Sequence, residues 1–190
     1  MRKCTILGCL LTIFISTHSQ YLTAYPKTDS DFALLPPYCK ARSGRTNKAD
    51  AENWKRRIGQ GWVHIHHYCA GLDYINKANV AYDSENRIDL LNKALHGFSY
   101  MQDRTGSKFI LQPEISTQKG RVYLRLNQDG AALQEFHNAI KLNPKYVPAY
   151  SELGDYYRDK NKPEEARKIL EQGLKHNPKS KALKRRLDKL

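Results

Sequence analysis

The sequence predicts an all-α fold assembled from stacked antiparallel helix pairs. Three observations carry that expectation. The C-terminal half repeats itself when displaced by 34 residues. Upstream of the repeat, apolar residues return every three or four positions along proline-free stretches. The composition suits a packed domain: 190 residues, 40% apolar, with a mean hydropathy of −0.71. Eight Pro and eleven Gly exclude a collagen-like or low-complexity chain. No run reaches the roughly 20 apolar residues that a bilayer-spanning helix needs, which excludes a polytopic membrane protein.

The first element reads as an address. Arg2 and Lys3 precede an almost continuous apolar run from Cys4 to Ser16, and polarity then rises through Thr17, His18, Ser19 and Gln20. This is the tripartite pattern of a secretory signal peptide, with small residues suited to cleavage at Ser19 and Ala24. Residues 1–24 are therefore expected to be removed on export, leaving a periplasmic or secreted chain. Two alternatives are an uncleaved anchor and a lipoprotein signal at Ile6-Leu7-Gly8-Cys9. The apolar run is short for a span and continues past Cys9, so neither fits as well. Removing residues 1–24 takes Cys4 and Cys9 with it. Cys39 and Cys69 are then the only cysteines, and an oxidising compartment admits one pairing between them. Two buried free thiols are the alternative. No Asn-x-Ser/Thr acceptor occurs, which fits a bacterial envelope at least as well as a eukaryotic secretory route.

Residues 25–61 contain Pro26, Pro36, Pro37 and Gly44 among Ser, Thr and Asn, and read as an extended leader lying on the domain. A short helix is expected at 49–58 around Trp54, punctuated by Gly59 and Gly61. Over 62–112 two helices are expected. Ile65, Cys69, Leu72 and Ile75 form the apolar stripe of the first, and Ile88, Leu91, Leu95 and Phe98 that of the second. Gly106 and Pro113 bound the loop that follows.

The repeat then begins. At a 34-residue displacement Gly120 falls on Gly154, Tyr123 on Tyr157, Asn127 on Asn161 and Ala132 on Ala166. Phe136 meets Leu170, Ala139 meets Gly173, and Asn143-Pro144-Lys145 meets Asn177-Pro178-Lys179. This resembles the tetratricopeptide repeat, a 34-residue helix–turn–helix unit, over units 113–146 and 147–180. The resemblance implies a right-handed superhelix in which a small residue packs against an aromatic three later, here Gly120 with Tyr123 and Gly154 with Tyr157. It also implies a second helix carrying small, large, small residues, and a proline closing each unit at Pro144 and Pro178. The family's aromatic near the start of the first helix is matched by Tyr150, but Ser116 departs from it. Gly71, Tyr74, Leu91, Leu95 and Phe98 suggest a divergent hairpin of the same kind over 62–112, with longer helices or loops. Residues 181–190, with Leu183, Leu187 and Leu190 on one stripe, read as a polar capping helix. Taken whole, the chain resembles small exported bacterial repeat proteins.

The resemblance implies a groove lined by the first helix of each unit, with Gln118, Arg121, Leu124, Ser151, Asp155 and Arg158 facing inward. Some relatives clamp a peptide carboxylate with a Lys and Asn pair. Those positions are Thr117 and Arg121 here, so that clamp is not reproduced. The chain carries 32 Lys+Arg against 19 Asp+Glu, a formal +13, with two basic concentrations at 40–57 and 158–190. Export argues against nucleic acid as the partner. A protein or peptide segment, acidic segments included, or an anionic envelope component is expected instead.

Other chemistry finds little support. His64 and His67 lie one helical turn apart and are the alternative metal ligands, in the alternative reading of an accessory factor that binds a metal or anionic glycan through residues 64–69. Two imidazoles leave most coordination positions unfilled, so no metal and no cofactor is expected. No His-Glu-x-x-His, Cys-x-x-Cys-His or Gly-x-Ser-x-Gly occurs. Ser116-Thr117-Gln118-Lys119 matches Ser-x-x-Lys by letter only, without its companion motifs. The expectation is an exported scaffold or adaptor without enzymatic activity.

Overall fold

The computed structural model describes residues 25–190, so the signal-peptide reading of 1–24 lies outside the described residues. Among the described residues ten α-helices follow one another and no strand forms. The leader departs from expectation before its expected short helix. Its first part is helical rather than extended, with α1 (Asp29–Ala33) and α2 (Pro37–Arg42), and the helix around Trp54 is α3 (Lys48–Ile58), followed by a 3₁₀ turn at Gly59–Val63. Its polar and proline residues are helix starts. Thr28 and Asp31 form a capping box on α1, and Asn47 accepts the Asp50 N–H on α3. Pro36 is the N-cap of α2 and Pro37 its first residue. There the fixed φ suits the helix, and the missing N–H would have had no partner anyway.

Three hairpins follow. They are α4 (Ile65–Val80) with α5 (Ser84–Thr105), α6 (Gln112–Arg125) with α7 (Asp129–Leu142), and α8 (Val147–Asp159) with α9 (Pro163–His176). Helix α10 (Lys181–Leu187) packs on both α8 and α9. The connections within the three hairpins have equal length, three residues each. In the two repeats the turn uses Asn127 and Asn161, both at φ 58°, a left-handed conformation that Asn tolerates better than most residues. That explains why Asn recurs at a 34-residue interval.

The first hairpin differs through its helices, not its loop. Beyond Gly71, α4 runs four residues farther than α6 runs beyond Gly120, and α5 reaches Phe98 seven residues later than α7 reaches Phe136. Four and seven residues are about one and two helical turns, so the packing faces are preserved. The repeat positions of α5 lie three residues beyond the sequence expectation of Leu91, Leu95 and Phe98. Of the expected stripe Leu91 and Phe98 are buried, Leu95 is partly buried and Ile88 is exposed, and the repeat positions are taken by the buried Ala94, Phe98 and Met101. These are the counterparts of Ala132, Phe136, Ala139 and of Ala166, Leu170, Gly173, all buried.

The small residue of each first helix meets the second helix, not the tyrosine three residues on. A Cβ on Gly120 would lie 2.4 Å from the Phe136 ring, and one on Gly154 would lie 2.6 Å from Leu170. Gly71 repeats the arrangement against Phe98 at 2.5 Å. Tyr123 and Tyr157 pack instead around Ala132, Phe136 and Leu153, between neighbouring hairpins. Ser116 has its own explanation. Its hydroxyl accepts from Gln102 at 2.8 Å and Asn138 at 3.0 Å, beside a largely buried Lys119–Glu135 ion pair of 2.6 Å. A polar network joining α5, α6 and α7 thus occupies the place where the next unit packs Tyr150.

Candidate functional site

The first helices of successive hairpins, α4, α6, α8 and α10, share one face, and two clefts open on it. The first is about 350 Å³ and is bounded by Ile75 of α4, by Gln118, Arg121, Val122, Leu124 and Arg125 of α6, and by Glu152 of α8. The second is about 330 Å³ and is bounded by Asp155 and Arg158 of α8 and by Arg185, Arg186 and Lys189 at the end of the chain. Of the six residues expected in the groove, Gln118, Arg121 and Leu124 meet in the first cleft, and Asp155 and Arg158 in the second. Ser151 is a correction: it is buried and lines neither, because its face turns into the packing around α8.

The charges between the clefts are ordered. Arg121 donates through Nε (2.9 Å) and Nη2 (2.7 Å) to Glu152 Oε1. One repeat step on, with signs reversed, Arg186 Nε donates to Asp155 Oδ2 at 2.8 Å. Arg158 donates to the other oxygen of Asp155 at 2.8 Å. Asp155 therefore holds two guanidiniums in position, while the side chains of Arg185 and Lys189 make no ion pair among the described residues. Sequence reasoning missed Glu152, Arg186 and Lys189, and placed Arg185 only in the basic concentration at 158–190. The signal was the same 34-residue step. Gln118, Glu152 and Arg186 occupy one register position, and Arg121, Asp155 and Lys189 another, so the capping helix continues the inward face.

At the other end of the row the leader packs on α4. Cys69 and Ile75 belong to one stripe of α4. Ile75 borders the first cleft, and Cys69 is paired in the structure with Cys39 of α2, Cα to Cα 5.6 Å, within the range a disulfide requires. Both cysteines are fully buried. Tyr38 packs against the Tyr68 and Trp54 rings, and the Tyr25 hydroxyl donates to the Cys39 carbonyl at 2.9 Å. Tyr68 donates to Glu114 of α6 at 2.6 Å. Burial first, then the Glu114 charge, pushes the Tyr38 and Tyr68 hydroxyls well above the ordinary tyrosine range.

The histidines form a stack. His67 lies on the Tyr100 ring of α5 at 3.8 Å, His66 on His67 at 4.2 Å, and His64 edge-on to Tyr100 at 5.6 Å. Burial and the neighbouring imidazoles push His67 down to about 4. Among the described residues no group of three or more His, Cys, Asp or Glu is arranged to hold a metal ion, and no helix is long and apolar enough to cross a membrane.

Residues 114–187 match the tetratricopeptide-repeat family, both units and the helix after them. The chain is similar to human tetratricopeptide repeat protein 6, 24% identical over 180 residues, which cover 90% of this chain. The chain spans about a third of that relative's length, 33%. Among solved structures it is similar to the first repeat domain of Spaghetti (RPAP3) bound to the HSP90 peptide SRMEEVD. That likeness has a TM-score of 0.44 and 24% identity, covering 63% of this chain and 90% of that one.

Proposed function

We propose that this protein is an exported, non-enzymatic scaffold that binds a segment of a partner protein in the groove lined by α4, α6, α8 and α10. The observation that supports it is the pair of clefts on one face, one with apolar walls at Ile75, Val122 and Leu124, the other walled by cations. Tetratricopeptide repeats support a protein-interaction role at the level of the family. Export rests on the charged start and short apolar run of residues 1–24. Cys39 and Cys69 are then bonded in the exported chain and fasten the leader to α4. Apolar contact would supply affinity, and the cations would speed encounter.

Arg121→Glu with Arg158→Glu tests the groove. Each change sets a carboxylate beside Glu152 or Asp155, so partner binding should weaken at least tenfold. Exposed ion pairs contribute about 0–1 kcal/mol each, so helix content should hold and the melting temperature fall only slightly. Undiminished capture of the native partner by this variant contradicts the reading. Intact mass of the exported protein tests export, because a chain still beginning at Met1 is not a cleaved one.

A further inference from the structure

We propose that the edge of the array where the first helices begin docks on an anionic lipid surface. Val63 and Ile110 enter the apolar layer, and the cations around them meet the lipid phosphates. Consecutive helices reverse direction, so the start of α4, the end of α5 and the loops leading into the later first helices share this edge. Gly61 of the 3₁₀ turn packs against the Phe109 ring. The residues flanking that contact are Val63 and Ile110, 57% and 67% exposed. Covering two such aliphatic tips with an apolar layer releases the water around them. Cations surround the pair. Arg42 donates through Nε to the Trp62 carbonyl at 3.2 Å, Arg57 lies over the Trp54 ring at 4.2 Å, and Arg104 lies over the Tyr100 ring at 5.3 Å. Arg56 and Lys108 are exposed and make no ion pair among the described residues. The acids nearest in sequence are Glu52, which pairs with Lys55 at 3.8 Å, Asp103, and Glu114, which accepts from Tyr68 at 2.6 Å.

The same edge continues along the array. The loops leading into α6, α8 and α10, residues 106–111, 143–146 and 177–180, each hold one lysine and no acid: Lys108, Lys145 and Lys179. Lys181 opens α10, where the helix N-terminus disfavours a cation, so its place owes nothing to helix stability. The opposite edge is different. There Lys160 pairs with Asp129, and Arg158 and Arg186 share Asp155. Arg185 and Lys189 make no ion pair among the described residues, but no large apolar residue of α8–α10 is exposed beside them. The exposed Val80, Tyr82 and Ile88 stand among Asp83, Glu85 and Asp89. Unpaired cations and exposed aliphatic tips therefore coincide at one edge. A nucleic acid or an acidic glycan gains from the cations and nothing from Val63 and Ile110, whereas a bilayer with anionic headgroups gains from both. The inference stands apart from the groove reading, because none of the docking residues lines either cleft.

The test is co-sedimentation of the exported, disulfide-intact protein with vesicles of phosphatidylcholine, alone or mixed in equal parts with phosphatidylglycerol. The mixed vesicles should carry the protein down and the neutral ones should not, and added salt should release it. K108E/K145E should weaken binding to the mixed vesicles by about tenfold or more. R185E/K189E makes the same change of net charge at the opposite edge and should weaken it far less. V63S/I110S should weaken vesicle binding by about tenfold and leave affinity for a heparin oligosaccharide unchanged. All three variants alter exposed side chains and should keep the native helix content. No binding to the mixed vesicles overturns the inference. Equal losses in K108E/K145E and R185E/K189E also overturn it, because binding would then follow net charge alone. So does undiminished vesicle binding by V63S/I110S. A heparin oligosaccharide or single-stranded RNA that binds more tightly than the mixed vesicles, through Lys108 and Lys145, would assign the edge to a polyanion instead.

Discussion

The hairpin α4–α5 and the two repeats α6–α9 share one packing device, a glycine in the first helix against a large side chain in the second, yet they are held differently. Around the first hairpin a continuous core runs from Phe32 and Tyr38 of the leader through Tyr68, Phe98 and Met101 to Ile115 and Val122. The repeats instead have small clusters shared between neighbours: Ala132, Phe136 and Leu153, then Tyr150, Leu170 and Leu183. One half depends on contacts distant in sequence and the other on its adjacent unit. The contrast teaches that a repeat device can be kept while its support is replaced.

Truncating the matched aromatic on each side is the strongest way to break the comparison. Phe98→Ala and Phe136→Ala each remove a fully buried ring and should each cost about 3–5 kcal/mol. Hydrogen exchange should separate them. Phe98→Ala should raise exchange across α1–α6 together, because the leader and α6 share that core. Phe136→Ala should raise it mainly in α6–α9 and leave the leader unchanged, because its cluster ends at Ile169. Equal spread in both variants contradicts two kinds of support.

Removing the cross-link should come next. Cys39→Ser with Cys69→Ser opens a loop of sequence separation 30 and should cost roughly 3–4 kcal/mol by the chain-entropy relation. The loss should appear in denaturant unfolding as weakening of the leader and first hairpin, with α8–α10 little changed. Free thiols in natively exported protein, measured by non-reducing mass spectrometry, would remove the cross-link from the account.

A smaller pair of changes sharpens the glycine device. Gly120→Ala drives a methyl into the Phe136 ring and should cost about 1–3 kcal/mol. Gly130→Ala, in the same hairpin, meets nothing within 4 Å and should stabilise by about 0.5–1 kcal/mol. Opposite signs in thermal melts are the expected outcome, and equal losses would show that close approach is not what selects Gly120.

The smallest effect is pH dependence confined to the first hairpin. His67 is held near 4 when folded, below its ordinary 6.5. The unfolded chain therefore binds more protons in that interval. Stability is level above about pH 6.5 and falls as pH drops from there toward about 4. His67→Gln should reduce that slope, measured as the melting midpoint against pH.

The repeats were legible because each residue's partner lies at a fixed offset, so Ala132, Phe136 and Ala139 predict Ala166, Leu170 and Gly173 with no knowledge of the rest. The leader was not, because Pro36-Pro37 reads as extended until the packing of Tyr38 against Tyr68 and Trp54 settles it as a helix start. The repeat positions of α5 were read three residues early for a related reason. Leu91, Leu95 and Phe98 keep the same spacings of 4 and 3 as Ala94, Phe98 and Met101, and only the glycine opposite, Gly71 against Phe98, chooses between them. In the groove, inward positions followed from the repeat, whereas the ion pairs did not. Arg121 and Arg158 face inward as expected, but Glu152, Asp155 and Asp159 pair with them, and among the described residues Arg185 and Lys189 make no ion pair.

In the proposed function the face of the first helices, and not the face of the second, meets the partner. A photo-crosslinking residue at Gln118 or Glu152, which border the first cleft, tests it against one at His137 or Lys141, which border a separate cleft on α7. Crosslinking in the intact cell should give one discrete adduct band from Gln118 and Glu152 and none from His137 and Lys141. Adducts from the α7 positions alone would contradict the claim and move the binding surface to the opposite side of the array.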